Sequence, residues 1–434
     1  MSRGSPPSSP ASIASRFANN FVLAASTVAI LLVVAEIAAR VVYHPENLGT
    51  VIHYDPTLGW SLKPNSTSRS VDYHRHLDYL IRINSLGMRE REVSLVKPSG
   101  RRRVLLIGDS VTFGTGVEAG WRFSDFMQRA LGDDVEVINA GVPGWGLDQE
   151  LIYFETFAHR LDPDIVVVTF TVANDVVNDA LGHLFLGSAP KPRFILDADS
   201  LRLVGVPPES PSDHRPLWKR ALRNSRFLLF VKRRIDRWVY TREARLLHHP
   251  EARHGGGPIA ASGGGTHGTH MVLPGFGRRN GDELTHWSAF ENPPCPEMDA
   301  AWRVTDALIS RFAADCRQQN AALILFALPP RIEVDKRWRT GMMAHAGLDS
   351  TDLDFVQPFE RLSECCRRNG IVFLHPLEAF AEGAGSRDLY HVNDSHPNRY
   401  GHALAARVLL ESLHTHQNLH FEIAGHDLLY VDPP

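Results

Sequence analysis

Five short apolar runs, alternating with helical patterns, constrain this chain more than any other feature. They are Val104 to Ile107, Val135 to Ile138, Ile165 to Phe170, Leu323 to Leu328 and Ile371 to Leu374. Near-continuous apolar runs of this length read as strands buried on both faces. Helical periodicity covers roughly Phe123 to Leu131, Asp148 to His159, Met298 to Gln318, Asp352 to Arg368 and Arg399 to His414. Strands alternating with helices predict a parallel sheet covered on both sides, an α/β fold with right-handed crossovers. In such sheets functional groups gather at the carboxyl ends of the strands.

The rest of the chain divides around that pattern. An apolar run from Phe21 to Ala35 is interrupted by Glu36 and continues from Ile37 to Tyr43. Counted through to Tyr43 it reaches the roughly 20 residues that a spanning helix needs. Arg3 and Arg16 precede it and favour an N-terminus on the inside. Glu36 and Arg40, four apart, are placed to pair on one helix face. Residues 1–44 therefore read as a leader and transmembrane signal anchor, with the remainder on the extracytoplasmic (periplasmic or extracellular) side. A cleaved signal peptide is the second reading, because Ala35, Ala38 and Ala39 offer small residues.

Residues 45–100 carry turn signals at Asp55-Pro56, Leu58-Gly59-Trp60 and Lys63-Pro64-Asn65 and read as a β-rich lead-in. The main domain is expected over 101–434. Between its third and fourth strands lie roughly 150 residues, far beyond an ordinary connection. That stretch predicts an inserted cap or lid at about 185–297. It contains a β excursion from Pro190 to Pro211, a basic segment from Trp218 to His249 and a Gly- and His-rich segment from Gly255 to Gly281. The basic segment carries an apolar block, Phe227 to Val231. It reads as a helix packing on the domain, with contact to anionic lipid as the alternative.

Several function classes are excluded. The formal charge of -3 and the absence of a basic, aromatic-interleaved patch argue against nucleic acid. The chain lacks a phosphate-binding G-x-x-x-x-G-K-[ST] loop and a zinc-protease H-E-x-x-H, and Gly114, Gly116 and Gly120 miss the dinucleotide spacing by one residue. No cofactor is expected. His248, His249, His254, His267 and His270 offer imidazoles without fixed geometry, so no metal is expected either. The four cysteines, Cys295, Cys316, Cys365 and Cys366, form no C-x-x-C pair. They read as buried or free thiols, or as a bridge from Cys316 to one of the adjacent pair.

Four blocks carry chemistry. Gly108-Asp109-Ser110 follows the first strand, where a serine is either a helix cap or a nucleophile held up at the sheet edge. Asn139-Ala140-Gly141-Val142-Pro143-Gly144 follows the second strand, where glycine lets backbone approach a ligand. Ala173-Asn174-Asp175 follows the third, where an asparagine amide can meet a developing oxyanion. Asp394-Ser395-His396-Pro397-Asn398 precedes the last helix. Residues two apart in extended chain face one side, so carboxylate and imidazole can act together.

Blocks of this kind, in this order, resemble the SGNH (GDSL-like) serine hydrolase superfamily. The likeness covers about residues 101–180 and 320–412. It implies a flavodoxin-like three-layer sandwich with a five-stranded parallel sheet. It also implies Ser110, Asp394 and His396 as the catalytic triad, with Ser110, Gly144 and Asn174 forming the oxyanion hole. Gly141 is the rival to Gly144. The commonest family spacing puts aspartate three residues before histidine, where this chain has Asn393. The glycines that commonly open the third block are replaced by Thr171-Val172-Ala173. Gly59-Trp60 and Ile83-Asn84-Ser85-Leu86-Gly87-Met88-Arg89 also resemble lead-ins of membrane-anchored bacterial members. The resemblance implies an ester hydrolase or acyltransferase acting through an acyl-serine. Its partners would be an acylated small-molecule or carbohydrate substrate and, through the N-terminal helix, the membrane. A degenerate glycan-binding module and a membrane-surface lipase or thioesterase are the alternatives.

Overall fold

The computed structural model describes residues 10–43, 47–72, 75, 77–184, 189–198, 200–210, 222, 225–247, 284–392 and 394–415. Helix α1 (Pro10–Val42) precedes two antiparallel hairpins, β1 (Ile52–Asp55) with β2 (Gly59–Leu62) and β3 (Thr67–Asp72) with β4 (Leu77–Arg82). Then come β5 (Arg102–Ile107), α2 (Ser110–Phe113), α3 (Phe123–Leu131), β6 (Val135–Asn139), α4 (Leu147–Thr156), β7 (Ile165–Phe170) and α5 (Val172–Ala180). A third hairpin, β8 (Arg193–Asp197) with β9 (Ser200–Val204), leads to α6 (Arg226–Leu247). The chain continues through α7 (Pro296–Gln318), β10 (Ala322–Ala327), α8 (Arg331–Val334), α9 (Lys336–Ala346), α10 (Gln357–Asn369), β11 (Val372–Leu374), α11 (Leu377–Ala384) and α12 (Arg399–Thr415).

These elements form two compact units. One is Met1–Glu46 with Asp213–Ala260; the other is Asn47–Ser212 with Ala261–Pro434. In the larger unit β5, β6, β7, β10 and β11 form one parallel sheet in the order β11-β10-β7-β5-β6. The α/β fold expected from the alternation is what the chain adopts. Counted along the chain, the sheet order is second, first, third, fourth, fifth, and it reverses between β5 and β7. A crevice opens at such a reversal, outside the carboxyl ends of the two strands.

The pleat sorts the side chains into two cores. Leu105, Ile107, Val166, Val168 and Leu325 face one side, with Phe154, Trp302 and Phe312. Val104, Leu106, Val167 and Ile324 face the other, with Phe123, Phe126, Leu409 and Leu413. Both faces are dry, which is why the strands read as continuous apolar runs and not as alternating ones. Truncating one such aromatic to alanine would cost about 3–5 kcal/mol.

Some boundaries differ from the sequence pattern. The helix expected from Asp352 starts at Gln357, with Pro358 in its first turn, where a missing N–H costs nothing. Residues Ser350–Asp352 form a separate 3-10 turn. Helices α8, α9 and α11 were not marked by the apolar period. All four cysteines are free, so a bridge from Cys316 does not form. Cys316, Cys365 and Cys366 are buried as small hydrophobes, and Cys365 Sγ–H donates to the Asp306 carbonyl.

In the smaller unit, Asn19–Val42 of α1 is long and apolar enough to cross a membrane, as is a signal sequence. Glu36 and Arg40 pair at 2.8 Å. The Gly- and His-rich stretch from Gly255 to Gly281, with His248, His249, His254, His267 and His270, lies outside the described residues.

Candidate active site

Ser110 opens the one-turn helix α2 directly after β5. Asp109, not Ser110, is the cap: its Oδ1 accepts from the Val111 N–H at 2.8 Å. This frees the Ser110 hydroxyl for other partners. Gly108 is required by space, because a Cβ there would overlap Thr112.

The hydroxyl meets the last block. Ser110 Oγ lies 2.8 Å from His396 Nε2, and His396 Nδ1 lies 2.7 Å from Asp394 Oδ1. The carboxylate fixes the proton on Nδ1, so Nε2 can accept from the serine. The same Oδ1 also accepts from the His396 backbone N–H at 3.0 Å. This second bond is possible because the two residues are two apart, and it ties acid and imidazole into one small turn. The turn is closed by His391 N–H donating to the His396 carbonyl at 3.0 Å and Asp394 N–H to the His391 carbonyl at 3.2 Å. Burial alone would lower the His396 pKa, but the Asp394 charge and hydrogen bond outweigh it and hold the imidazole above its ordinary value. Burial would raise the Asp394 carboxyl, yet His396 and Arg75 keep it well below the usual range.

Asn174 stands at the carboxyl end of β7, across the reversal point. Its Nδ2 donates one hydrogen to Asp109 Oδ2 at 2.7 Å, and its Oδ1 accepts from Asn178 Nδ2 at 3.3 Å. The carboxamide is thus fixed with its amino end toward the serine loop, leaving the second amide hydrogen for a ligand.

The two glycines of the second block separate cleanly. The Gly141 N–H is spent on Asn139 Oδ1 at 3.0 Å, and a Cβ at Gly141 would collide with the Phe113 backbone. Gly144 has φ +82°, a conformation that favours glycine, and a Cβ there would crowd Leu184. Among the described residues nothing accepts from the Gly144 or Ser110 N–H. Gly144 is not, however, on the wall of the serine cleft, whereas Ser110, Asn174, Asp394 and His396 are.

The cleft holds about 160 Å³. Its apolar wall includes Leu328, Pro329 and Pro330 after β10. Two polar residues on it carried no signal in the sequence. Arg75, from the turn between β3 and β4, places Nε 3.6 Å from Asp394 Oδ2 and 3.7 Å from Asp72 Oδ2. His286 binds the Ala173 carbonyl through Nδ1 at 2.7 Å. Both come from segments remote in sequence, and a lone basic residue in a hairpin turn looks like any solvated one.

The lead-in also braces the catalytic loops. Arg89 is buried and donates to the carbonyls of Phe113, Gly114, Val117 and Leu80 at 2.7–3.1 Å. Trp60 Nε1 donates to the Pro143 carbonyl, next to Gly144, and Trp145 Nε1 returns a bond to the Trp60 carbonyl, both at 3.0 Å. Behind Asp109 lies a row of buried acids. Burial, and then neighbouring carboxylates, push Glu150 and Asp175 well above the ordinary range. Asp148 is paired with buried Lys191. Among the described residues, no group of His, Cys, Asp and Glu could hold a metal ion.

No family model and no curated protein sequence matches the chain. Among solved structures it is similar to a catalytic mutant of the acetylxylan esterase Axe2 from Geobacillus stearothermophilus, at 13% identity over 76% of this chain and 100% of that one, with a TM-score of 0.35. It is similar to TesA at 10% identity over 72% and 98%, with a TM-score of 0.33. It is also similar to LAE5, an alpha/beta hydrolase enzyme from the metagenome of Lake Arreo, Spain, at 14% identity over 74% and 97%, with a TM-score of 0.33. Likeness at these scores carries no weight for function.

Proposed function

We propose that this chain is a serine ester hydrolase of the SGNH type. The observation that carries the reading is the unbroken hydrogen-bond path from Ser110 Oγ through His396 to Asp394 at the sheet's reversal point. In the mechanism, His396 Nε2 takes the serine proton as Oγ attacks the ester carbonyl. The imidazolium is stabilised by Asp394 and passes the proton to the leaving alcohol. The Ser110 N–H and the second Asn174 amide hydrogen receive the carbonyl oxygen as it becomes an oxyanion; the Gly144 N–H, off the cleft wall, is not assigned to it. Water, or an acceptor hydroxyl in a transfer reaction, then releases the acyl group by the same steps in reverse.

The cleft supports a small acyl group. Its volume of about 160 Å³ lies below the ~300–1,000 Å³ of pockets that enclose drug-sized ligands. An O-acetylated carbohydrate of the cell envelope, or a secreted one, fits this, with α1 as an anchor and the larger unit outside the membrane. Ser110→Ala is expected to abolish hydrolysis of p-nitrophenyl acetate and labelling by a fluorophosphonate, with the fold retained by circular dichroism. Unchanged turnover would remove Ser110 from the mechanism. In a chain-length series of p-nitrophenyl esters, acetyl should be preferred; a steady rise with length would favour a lipid substrate.

A further inference from the structure

We propose that helix α6 is a second membrane contact, lying against the headgroup layer beside the outward end of α1. The inference rests on the reading of α1 as a membrane span and concerns a segment outside the catalytic unit.

Glu36 is the first observation. An acidic residue inside an apolar span is expensive unless its oxygens are satisfied. Here the carboxylate pairs with Arg40 and also accepts from Ser225 Oγ at 2.7 Å and from the backbone N–H groups of Arg226 and Phe227 at 3.1 Å. It therefore caps the first turn of α6 from a neighbouring helix. At 1.5 Å per residue, Glu36 lies roughly 26 Å along the axis from Asn19, near the far edge of a hydrocarbon core about 30 Å thick. The start of α6 is pinned to that level. Tyr43, the residue after α1, packs edge-on to Phe230 with ring centroids 5.5 Å apart, so α6 leaves the contact toward the polar side.

The second observation is the solvent exposure of apolar side chains on α6. Leu228, Ile235 and Trp238 are 41%, 55% and 60% exposed. At 100° per residue they fall on one side of the helix, within about 80° of one another. On a water-facing helix such a stripe is a liability. At the headgroup layer it is a contact, and tryptophan is enriched there. Arg234, whose guanidinium lies 5.2 Å from the Phe230 ring centroid, falls between these residues in sequence and suits anionic lipid. The occupant is the bilayer, because the stripe belongs to the same compact unit as α1, whose Val33, Val34, Ile37, Val41 and Val42 are themselves exposed.

The test uses the full chain in vesicles of phosphatidylcholine and phosphatidylglycerol, in a Cys295→Ser background whose other cysteines are buried. A fluorescent label is attached in turn to Ile235→Cys and Trp238→Cys. Lipids carrying a nitroxide at the headgroup should quench both labels, and more strongly than lipids carrying it at the chain centre, while aqueous iodide should quench them weakly. Strong iodide quenching would overturn the proposal. So would weak quenching by every probe, which would mean that protein covers the stripe. A label at Ile30→Cys reports on the span separately: if chain-centre nitroxide fails to quench it, the anchor reading fails, whatever α6 does.

Discussion

Asp394→Asn tests the catalytic geometry most sharply. In the native turn Oδ1 accepts both the His396 ring and backbone N–H, while Oδ2 faces Arg75 Nε at 3.6 Å. An asparagine has one oxygen for these two sites. With that oxygen toward the imidazole, its amino group faces the guanidinium. With the amide flipped, the oxygen meets Arg75, but the amino group meets Nδ1 and forces the histidine proton onto Nε2, where it blocks the serine. Arg75 biases the choice toward the flipped form. Its attraction to a full negative charge at 3.6 Å is about 1 kcal/mol in a water-like medium and ~5 kcal/mol at an effective dielectric of 20. An amide oxygen feels a fraction of that. The expected loss in kcat is about 10⁴, or ~5.4 kcal/mol of transition-state stabilisation. The pH profile moves too. Native His396 is held above its ordinary pKa by Asp394, and the neutral imidazole is the active form, so activity falls as pH drops through that raised value. Without the carboxylate, the acid limb of the residual kcat/KM should shift to lower pH. Stopped-flow hydrolysis of p-nitrophenyl acetate from pH 5 to 9 measures both. A loss below about tenfold, or an acid limb that stays in place, would refute the reasoning.

Further expectations follow from neighbouring residues. The Arg75 cation lowers the His396 pKa, against Asp394 and Asp109, which raise it. Arg75→Ala should therefore move the acid limb to higher pH, with Arg75→Lys largely restoring it, in the same assay. Arg89→Met removes a buried cation from four carbonyl acceptors and should cost about 3–5 kcal/mol, seen in urea denaturation, with activity falling as the serine loop loosens. Glu150 keeps its proton in the fold well above 4.5, near which it ionises when unfolded. Its contribution to stability is thus greatest below that pH and declines as pH rises toward its folded pKa. Glu150→Gln removes the penalty, so its thermal-melting advantage over the native chain should grow between pH 5 and 8; a constant difference would count against an ionisable Glu150.

The sheet was legible because both of its faces are dry. A strand that meets water on neither side leaves an unbroken apolar run, and β7 matches its expected span of Ile165 to Phe170. The site was legible in Ser110, Asn174 and His396, because each must stand at a strand end or before the last helix. Neither glycine of the second block could be judged from sequence: only in three dimensions does Asn139 occupy the Gly141 N–H and Gly144 stand off the cleft wall. Arg75 and His286 left no trace, since their placement depends on tertiary contacts between remote segments. Helices α8, α9 and α11 hid for a related reason: α8 is a single turn, and α9 and α11 bury few residues.

Arg89 bolts the lead-in to the floor of the serine loop, while the turn carrying Arg75 hangs from the same hairpin as a wall of the cleft. The first job is mechanical and the second electrostatic. Changing the charge at Arg75 acts on the proton path through Asp394 and His396, while the sheet and the nucleophile stay as they are. A relative with another residue at position 75 should therefore keep the fold and the nucleophile and work over a shifted pH range.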